Sequence, residues 1–458
     1  MPRLSIATPL RSLRAAAARP SAATRFAAPA VSKAFHLSAR STAPAAADAV
    51  KSAGAPALNT TGQPIADPMT GEVSKNADID LSRLEIELTK NPKKIPETSK
   101  LVFGREFTDH MICVPWNSTT GWGAPKIQPY APLNLDPSST VLHYAPTLFE
   151  GLKAYKGKDG VPRLFRPDKN MERMNRSAAR LAFPTFTGEH LTTLLKKLVE
   201  IDSAWVPTEP GTSLYIRPTM IGTQAGLGVG ASTDILLFVI ACPVGPYYST
   251  GFKPVKLYAT TKDVRAWPGG TGGYKLGSNY AAGVVPQQQA AALGYQQILW
   301  LFGPEHRLTE VGTMNLGVSF TRPDGSVEFV TPPLGDMILP GVTRDSILSL
   351  LRDHESGKNR LEGLPEKLVV SERDLTMPDI VAASKDGTLR EIFGCGTAAI
   401  VSPVDGIGYQ DELIKVPVGE DGGKSFLSLG EIARVMLREI VGRQTGEIPS
   451  EWSFPVNE

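Results

Sequence analysis

The chain has 458 residues, of which 41% are hydrophobic and 21% charged, proportions typical of a globular protein with a substantial core. Its longest apolar run, residues 235–242, is too short to cross a bilayer, so we expect no membrane insertion. The three cysteines lie far apart and the six histidines follow no metal-ligand spacing, so we predict neither a disulfide framework nor a metal site.

The first 47 residues contain six arginines, one lysine and no acidic residue. Arginine without acid, together with serine and alanine, is typical of a mitochondrial transit peptide, which we predict at 1–47, with the mitochondrial matrix as destination. The alternative is a disordered basic tail. Removing this segment leaves 41 basic against 46 acidic side chains, a net charge of about −5, which offers no footprint for nucleic acid.

A flexible segment rich in alanine, glycine, proline, serine and threonine is expected at 48–78, and folded sequence begins near Leu81. The apolar spacing then predicts helices at 168–182, with Asp168 as N-cap, and at 190–202. Strands are predicted at 213–220 and 235–242. Together they form a small N-terminal α/β domain, 79–244.

Residues 245–256 are dense in proline, glycine and tyrosine, which indicates an interdomain linker. A larger C-terminal domain, 257–458, mixes strands with helices. The expected strands lie at 255–260, 297–302, 316–320, 327–331 and 367–370, and the expected helices at 343–354 and 428–442. The fold class is therefore α/β or α+β with two domains, and the active site is expected in the cleft between them.

The segment RAWPGGTGGYKLGSNY, 265–280, places Lys275 among glycines that allow close approach of the backbone to a ligand. Three interpretations stand: an amine for Schiff-base chemistry, a phosphate-binding loop, or a surface turn with a solvated lysine. The phosphate loop fits poorly because Tyr274 separates Gly273 from Lys275 and no serine or threonine follows.

Three further segments supply groups that a phosphorylated cofactor needs. Glu310, in LTEVGTMN, is a carboxylate in an apolar setting that can pair with a pyridinium nitrogen. LPGVTRDSIL leads into a helix whose first amides, at Val342 and Thr343, can bind phosphate. FGCGTAAIV is a second glycine-rich turn, where Thr397 adds a hydroxyl.

The chain resembles the branched-chain amino acid aminotransferases of the mitochondrial eukaryotic type, within fold type IV of pyridoxal-phosphate enzymes. The motifs that carry the resemblance run from FTDHMICVPW at 107–116 to EWSFPV at 451–456, through WGAPKIQPY, SLYIRPTMIG, LFVIACPVGPYY, KLGSNY, LTEVGTMN, TPPL and ILPGVTR. The resemblance implies pyridoxal 5'-phosphate as cofactor and a homodimer acting on small amino and 2-oxo acids.

It also implies residue roles. Lys275 is the catalytic residue, bonding the cofactor and moving a proton. The other cofactor-binding positions are Arg173, Tyr280, Glu310, Thr313, Val342, Thr343 and Thr397. The substrate positions are Phe103, Phe149, Tyr215, Arg217 and Ala398, with Tyr144, Leu227 and Val229 contributed by the second subunit. Arg217 is expected to meet the side-chain carboxylate of glutamate. Without the resemblance, Arg173 looks like part of a solvated helix stripe, and Phe103 and Phe149 like core residues.

Three departures from the family pattern stand out. Ala399 and Ser402 occupy positions where mammalian mitochondrial members carry a Cys-x-x-Cys pair, so no thiol switch is expected. Ser278 replaces a glycine in KLGGNY, and Gly317 replaces an aromatic residue. The resemblance implies reversible transfer of an amino group from leucine, isoleucine or valine to 2-oxoglutarate. The alternatives are another fold type IV enzyme, a nucleotide-binding protein that uses residues 269–275, and a catalytically silent relative.

Overall fold

The computed structural model describes residues 77–245, 253–419 and 429–457. The predicted transit peptide, residues 48–76 of the flexible segment and residues 246–252 of the predicted linker lie outside these ranges. No helix among the described residues is long and apolar enough to cross a membrane.

The helices, in chain order, are α1 (Thr140–Tyr144), α2 (Pro167–Arg180), α3 (Gly188–Ile201), α4 (Ser278–Ala281), α5 (Val284–Ala292), α6 (Val342–Glu355), α7 (Met377–Lys385) and α8 (Glu431–Gln444). The strands are β1 (Glu85–Ile86), β2 (His110–Asn117), β3 (Gly121–Trp122), β4 (Lys126–Pro129), β5 (Thr147–Phe149), β6 (Leu152–Lys156), β7 (Pro162–Phe165), β8 (Ser213–Gly222), β9 (Asp234–Val244), β10 (Val255–Thr260), β11 (Gln297–Phe302), β12 (Arg307–Val311), β13 (Asn315–Thr321), β14 (Val327–Thr331), β15 (Leu368–Glu372), β16 (Leu389–Gly396), β17 (Ile400–Tyr409), β18 (Glu412–Lys415) and β19 (Ser453–Pro455).

The first sheet has the order β1-β4-β2-β9-β8-β6-β7-β19, with β3 on β2 and β5 on β8. Its long central pair, β8 and β9, is antiparallel along the whole of β8. Helices α2 and α3 pack together and bury apolar stripes at helical spacing, because leucines recur every three or four residues along α3. The core beneath them contains Met171, Met174, Leu194, Leu198 and Leu237.

The second sheet has the order β12-β11-β10-β17-β16-β13-β14-β15, with β18 on β17. Strand β10 lies between β11 and β17 and is parallel to both, whereas β13 and β16 are antiparallel. Helices α6 and α8 cover this sheet, and Leu351, Met436 and Ile440 pack with Phe393 of β16 in one buried cluster. The last strand, β19, returns to the first sheet and pairs with β7.

The helices and strands predicted from apolar spacing are confirmed to within three residues at their ends. One prediction was wrong: Asp168 is not the N-cap of α2. The cap is Arg166, at φ 49°, and Pro167 begins the helix, because the fixed φ of proline suits the first helical position. Arg166 instead bonds Ser346 and pairs with Asp345 on α6.

Some strands escaped prediction because glycine and proline obscure their pattern. Strand β17 contains Pro403, Gly406 and Gly408. Gly408 has a local reason: a Cβ there would collide with the hydroxyl of Tyr295. Glycine is a weak strand former, but at position 408 it is favoured because a larger residue would displace the Tyr295 ring.

A short backbone pairing connects the lysine loop to the first sheet. The amide of Phe149 in β5 donates to the carbonyl of Lys275 at 3.1 Å, and the amide of Gly277 donates to the carbonyl of Thr147 at 3.0 Å. The glycine at 277 is required, because a Cβ there would collide with Thr147. The lysine loop thus pairs with β5 through one antiparallel bridge, between Leu148 and Leu276. This pairing fixes the backbone on both sides of Lys275.

Candidate active site

Lys275 lies in a partly buried aromatic setting. Its Nζ is 3.2 Å from the hydroxyl oxygen of Tyr280, 4.9 Å from the ring centre of Phe149 and 5.6 Å from that of Tyr280. Its backbone amide donates to the buried hydroxyl of Ser177 on α2 at 3.0 Å. The surface-turn interpretation is therefore wrong, because this lysine is held from both its backbone and its amine.

Glu310, on β12, is a buried carboxylate, and one of its two oxygens accepts no hydrogen bond from the described residues. Its Oε1 accepts a hydrogen bond from the amide of Leu339 at 3.1 Å. Its Oε2 is 2.5 Å from Nε of Arg265 but accepts no hydrogen bond from any described residue. Burial raises the pKa of Glu310, while Arg265, the Leu339 amide and the charge of Lys275 oppose that rise.

Arg265 was not singled out by the sequence, although it begins the glycine-rich segment. Besides Glu310, its Nη1 donates to the carbonyl of Gly272 at 3.3 Å and to that of Met337 at 3.2 Å. One guanidinium thus ties together the lysine loop, the buried carboxylate and the segment preceding α6. Its side chain is 7% exposed.

Arg173 is buried on α2, while Arg176 and Arg180 of the same stripe are exposed. The solvated-stripe interpretation is thus wrong for Arg173. Its Nε donates to Oε1 of Glu150 at 2.7 Å, its Nη2 to Oε2 at 2.8 Å, and its Nη1 to the carbonyl of Pro340 at 2.9 Å. It therefore lies next to the start of α6.

Glu150, which sequence reasoning missed, is completely buried beside the lysine. It also accepts a hydrogen bond from Asn170 at 2.7 Å. Burial raises its pKa, but the charge and hydrogen bonds of Arg173, with smaller contributions from Lys275 and Asn170, outweigh burial and leave the pKa lowered. A buried carboxylate that is ionised beside a guanidinium fixes the orientation of that guanidinium.

Helix α6 begins without a side-chain cap. Gly341 is its N-cap, and Val342 and Thr343 are its first two residues, 7% and 6% exposed. A Cβ at position 341 would collide with Asn315, whose amide donates to the carbonyl of Leu339 at 2.8 Å. Uncapped amides at the start of a helix favour an anion.

Four of the predicted substrate residues, Phe103, Phe149, Tyr215 and Arg217, lie close together beside the first sheet. The rings of Phe103 and Tyr215 meet edge to face at 5.0 Å, and the guanidinium of Arg217 lies 4.5 Å from the ring centre of Phe149. Nη2 of Arg217 donates to the hydroxyl of Tyr215 at 3.1 Å. The core-packing alternative is wrong for Phe103, which is 43% exposed.

The remaining predicted residues lie in turns and loops, except Tyr144, which is the last residue of α1. Thr397 and Ala398 are half-buried in the turn between β16 and β17, and Thr313 is exposed in the turn after β12. Tyr144 donates from its hydroxyl to the carbonyl of Leu227 at 2.5 Å. Tyr144, Leu227 and Val229 are 46%, 63% and 82% exposed, so their apolar surfaces are largely uncovered by the described residues.

The departures from the family pattern leave these contacts intact. Gly317 lies under the stacked rings of Phe329 and Phe393, 5.9 Å apart, so an added Cβ there would come within 2.8 Å of Phe329. Ser278 is exposed at the first position of α4. Neither position reduces the set of reactive side chains around Lys275.

Residues 147–407 match the family model described as amino-transferase class IV. The mitochondrial branched-chain-amino-acid aminotransferase of Saccharomyces cerevisiae is 52% identical over 77% of this chain and 88% of its own. The cytosolic enzyme of the same yeast is 50% identical over 83% of this chain and 99% of its own. The mitochondrial enzyme of Bos taurus is 48% identical over 81% and 91%.

Solved structures share the fold. The branched-chain amino acid aminotransferase from Escherichia coli has a TM-score of 0.56 and 24% identity, over 76% of this chain and 99% of its own. The enzyme of the same name from Thermobaculum terrenum, solved in its PLP form, has a TM-score of 0.57 and 20% identity, over 77% and 99%. From the matched family model and the yeast and bovine relatives, the chain belongs to the class IV aminotransferases, in the branched-chain-amino-acid aminotransferase family.

Proposed function

We propose that this chain transfers the amino group of leucine, isoleucine or valine reversibly to 2-oxoglutarate, with pyridoxal 5'-phosphate as cofactor. The observation that carries the proposal is the position of Lys275: its amine lies against Tyr280 and Phe149, within the electrostatic reach of two buried carboxylates. The family membership supports the same reaction.

The site has the groups that this cofactor needs. Oε2 of Glu310 is buried without a hydrogen bond from the described residues, which suits the N–H of a protonated pyridine ring. The uncapped amides at Val342 and Thr343, with Arg173 beside them and Thr397 on the neighbouring turn, suit the phosphate. We assign Tyr280 to the phenolic oxygen, because its hydroxyl lies 3.2 Å from the Lys275 amine. When bound, the cofactor supplies an aldehyde for the amino group and a ring that accepts the electron pair of the Cα–H bond.

The protein supplies the rest of the chemistry. The Lys275 amine would hold the cofactor covalently and, once released by the incoming amino acid, would accept and return the proton that leaves the substrate. Glu310 would keep the proton on the ring nitrogen, and Arg265, paired with Glu310, favours the ionised form of that carboxylate. Because Glu150 orients Arg173, the guanidinium that we assign to the phosphate would be held in position before the cofactor binds.

The pocket must accept an aliphatic side chain and also the side-chain carboxylate of glutamate. Phe103, Phe149 and Tyr215 offer apolar surface, and Arg217 lies at its rim, where its Nε has no hydrogen-bond partner in the described part of the chain. We assign Arg217 to that second carboxylate, whereas a leucine side chain would contact only the rings.

We also propose a homodimer located in the mitochondrial matrix. The exposed apolar group of Tyr144, Leu227 and Val229 supports the dimer, because a second subunit would cover it. The acid-free leader supports the location. We further propose that the chain is divided into two domains at the linker, 245–256, since one sheet is almost entirely built from residues before it and the other from residues after it.

Absorbance of the purified protein tests the cofactor and the lysine together. We expect a visible band that changes on addition of leucine, and loss of both this band and nearly all turnover in Lys275→Ala. An exposed lysine, Lys262→Ala, is the matched control and should behave as wild type. Magnesium-dependent nucleotide binding by a colourless protein would favour the phosphate-loop alternative instead.

A further inference from the structure

Five consecutive backbone carbonyls of the lysine loop, at 271–275, accept hydrogen bonds from outside the loop. The carbonyl of Lys275 accepts from the amide of Phe149 in β5, at 3.1 Å. The four carbonyls before it accept from side chains: those of Thr271 and Tyr274 from Asn279, that of Gly272 from Arg265, and that of Gly273 from Arg176. Glycines alone would leave this loop free to move, so these bonds decide its conformation.

Asn279, the second residue of α4, makes more of these contacts than any other side chain. Its Nδ2 donates to the carbonyl of Thr271 at 2.8 Å and to that of Tyr274 at 2.9 Å. Its Oδ1 accepts from the hydroxyl of Thr271 at 2.7 Å. Only one orientation of the amide suits this setting, because its NH2 group meets two carbonyl oxygens and its oxygen meets a hydroxyl. Both N–H groups and the oxygen of Asn279 are therefore used to hold the loop.

Asn279 braces the segment that carries two groups of the candidate site. Lys275 directly follows Tyr274, and Tyr280 directly follows Asn279. The bond from Asn279 to the Tyr274 carbonyl thus ties the residue before the lysine to the residue before the tyrosine. The Lys275 amine lies 3.2 Å from the Tyr280 hydroxyl, across the same turn. The spacing of those two groups therefore depends on a hydrogen bond in which neither of them takes part.

We propose that Asn279 is a positioning residue, which sets the spacing between the Lys275 amine and the Tyr280 hydroxyl without touching the substrate. This inference rests on the proposed function, in which the amine and the hydroxyl bond the aldehyde carbon and the phenolic oxygen of one cofactor. A misplacement of about 1 Å in such a site costs on the order of a hundredfold in rate. Loss of Asn279 should lower kcat more than it raises KM, because the proposed substrate residues belong to other segments of the chain.

Hydrogen exchange of the cofactor-free protein tests the positioning without any turnover. In Asn279→Ala the amides of residues 274–277 should exchange at least about tenfold faster than in wild type, because the loop opens more often. Asn117→Ala is the matched control. Asn117 is half-buried like Asn279, bonds Asp234 at 2.7 Å and the amide of Thr119 at 2.9 Å, and lies on β2. This control should lose stability without changing exchange in the lysine loop.

Steady-state kinetics of the full-length holoenzyme supply the second measurement. Asn279→Ala should lower kcat with leucine by about ten- to a hundredfold and change KM by less than about threefold. Asn279→Asp has nearly the same volume but turns an acceptor towards the two carbonyl oxygens. Its kcat should be as low as that of the alanine variant, which would assign the effect to the donated bonds and not to the size of the side chain. Asn117→Ala should retain the kcat of wild type.

Each other outcome overturns the proposal. Unchanged exchange or unchanged kcat in Asn279→Ala would make the asparagine a dispensable contact, and an equal loss of kcat in Asn117→Ala would reduce the effect to stability. If Asn279→Ala does not fold, Thr271→Val decides, because it removes only the hydroxyl bond to Oδ1. Its kcat should fall severalfold while Thr271→Ser stays near wild type, and equal turnover of the two refutes the assignment. Failure of the proposed function would appear separately, as a wild-type protein without transamination.

Discussion

Substitution of Arg265 should show how much the ion pair with Glu310 contributes to the free energy of unfolding. In Arg265→Met, Glu310 keeps its amide bond from Leu339 but loses the guanidinium at 2.5 Å from Oε2, and the carbonyls of Gly272 and Met337 lose a donor. Breaking one partner out of a buried ion pair costs about 3–5 kcal/mol. We expect a destabilisation of about 3 kcal/mol at neutral pH, since Glu310 can relieve part of the cost by taking up a proton.

The dependence on pH has a definite sign. Without Arg265, the already raised pKa of Glu310 rises further, so the folded protein binds a proton that the unfolded chain releases at neutral pH. The variant should therefore approach wild-type stability as the pH falls towards about 5 and become relatively less stable as it rises towards about 8. Urea unfolding of the cofactor-free protein, followed by tryptophan fluorescence, measures both effects.

A double-mutant cycle isolates the pair. In the Glu310→Gln background, Arg265→Met should cost only about 1 kcal/mol, because an amide does not leave an unpaired charge behind. Arg265→Lys should retain part of the stability. If the methionine substitution costs the same with glutamate and with glutamine at position 310, the two side chains are not energetically coupled and the reasoning is refuted.

Three other substitutions test the remaining parts of the site. Glu310→Gln should lower kcat by orders of magnitude with the fold intact, because a neutral amide does not hold a proton on the ring nitrogen; circular dichroism checks the fold, and wild-type turnover would assign the carboxylate another role. Glu150→Gln should weaken cofactor binding by about tenfold through a less firmly held Arg173, measured by titrating the apoenzyme with pyridoxal 5'-phosphate, whereas unchanged affinity would show that Arg173 is oriented without it. Gly151→Ala should displace the Tyr215 hydroxyl and raise KM severalfold; Gly283→Ala, at φ −81° and with an added Cβ 3.5 Å from its nearest neighbours, is the control and should leave KM unchanged.

The predicted helices and strands agree with the structure where apolar residues follow a clear period, as in α3 and β9. They disagree where a special backbone conformation intervenes. Arg166 adopts a positive φ and caps α2 in place of Asp168, because its guanidinium is held by Ser346 and Asp345 from a distant helix. A local pattern does not contain such a contact. Strand β17 was not predicted for a related reason. Its Gly408 leaves room for the hydroxyl of Tyr295, which is more than a hundred residues away in the sequence, and a local pattern does not contain that contact.

The candidate groups of the site could be predicted from the order of residues along the chain: one lysine among glycines, one carboxylate in an apolar strand, two turns that we propose as the phosphate site, and the motifs of the family. Those signals are local, because a reactive side chain and the glycines that make room for it lie close together in the chain. Which charges meet was settled by folding. Glu150 with Arg173, Arg265 with Glu310, and Lys153 with a carbonyl 245 residues away are pairings between distant segments. Burial gives these pairings their energetic weight, because a charge removed from water costs free energy unless the protein or a ligand supplies a partner.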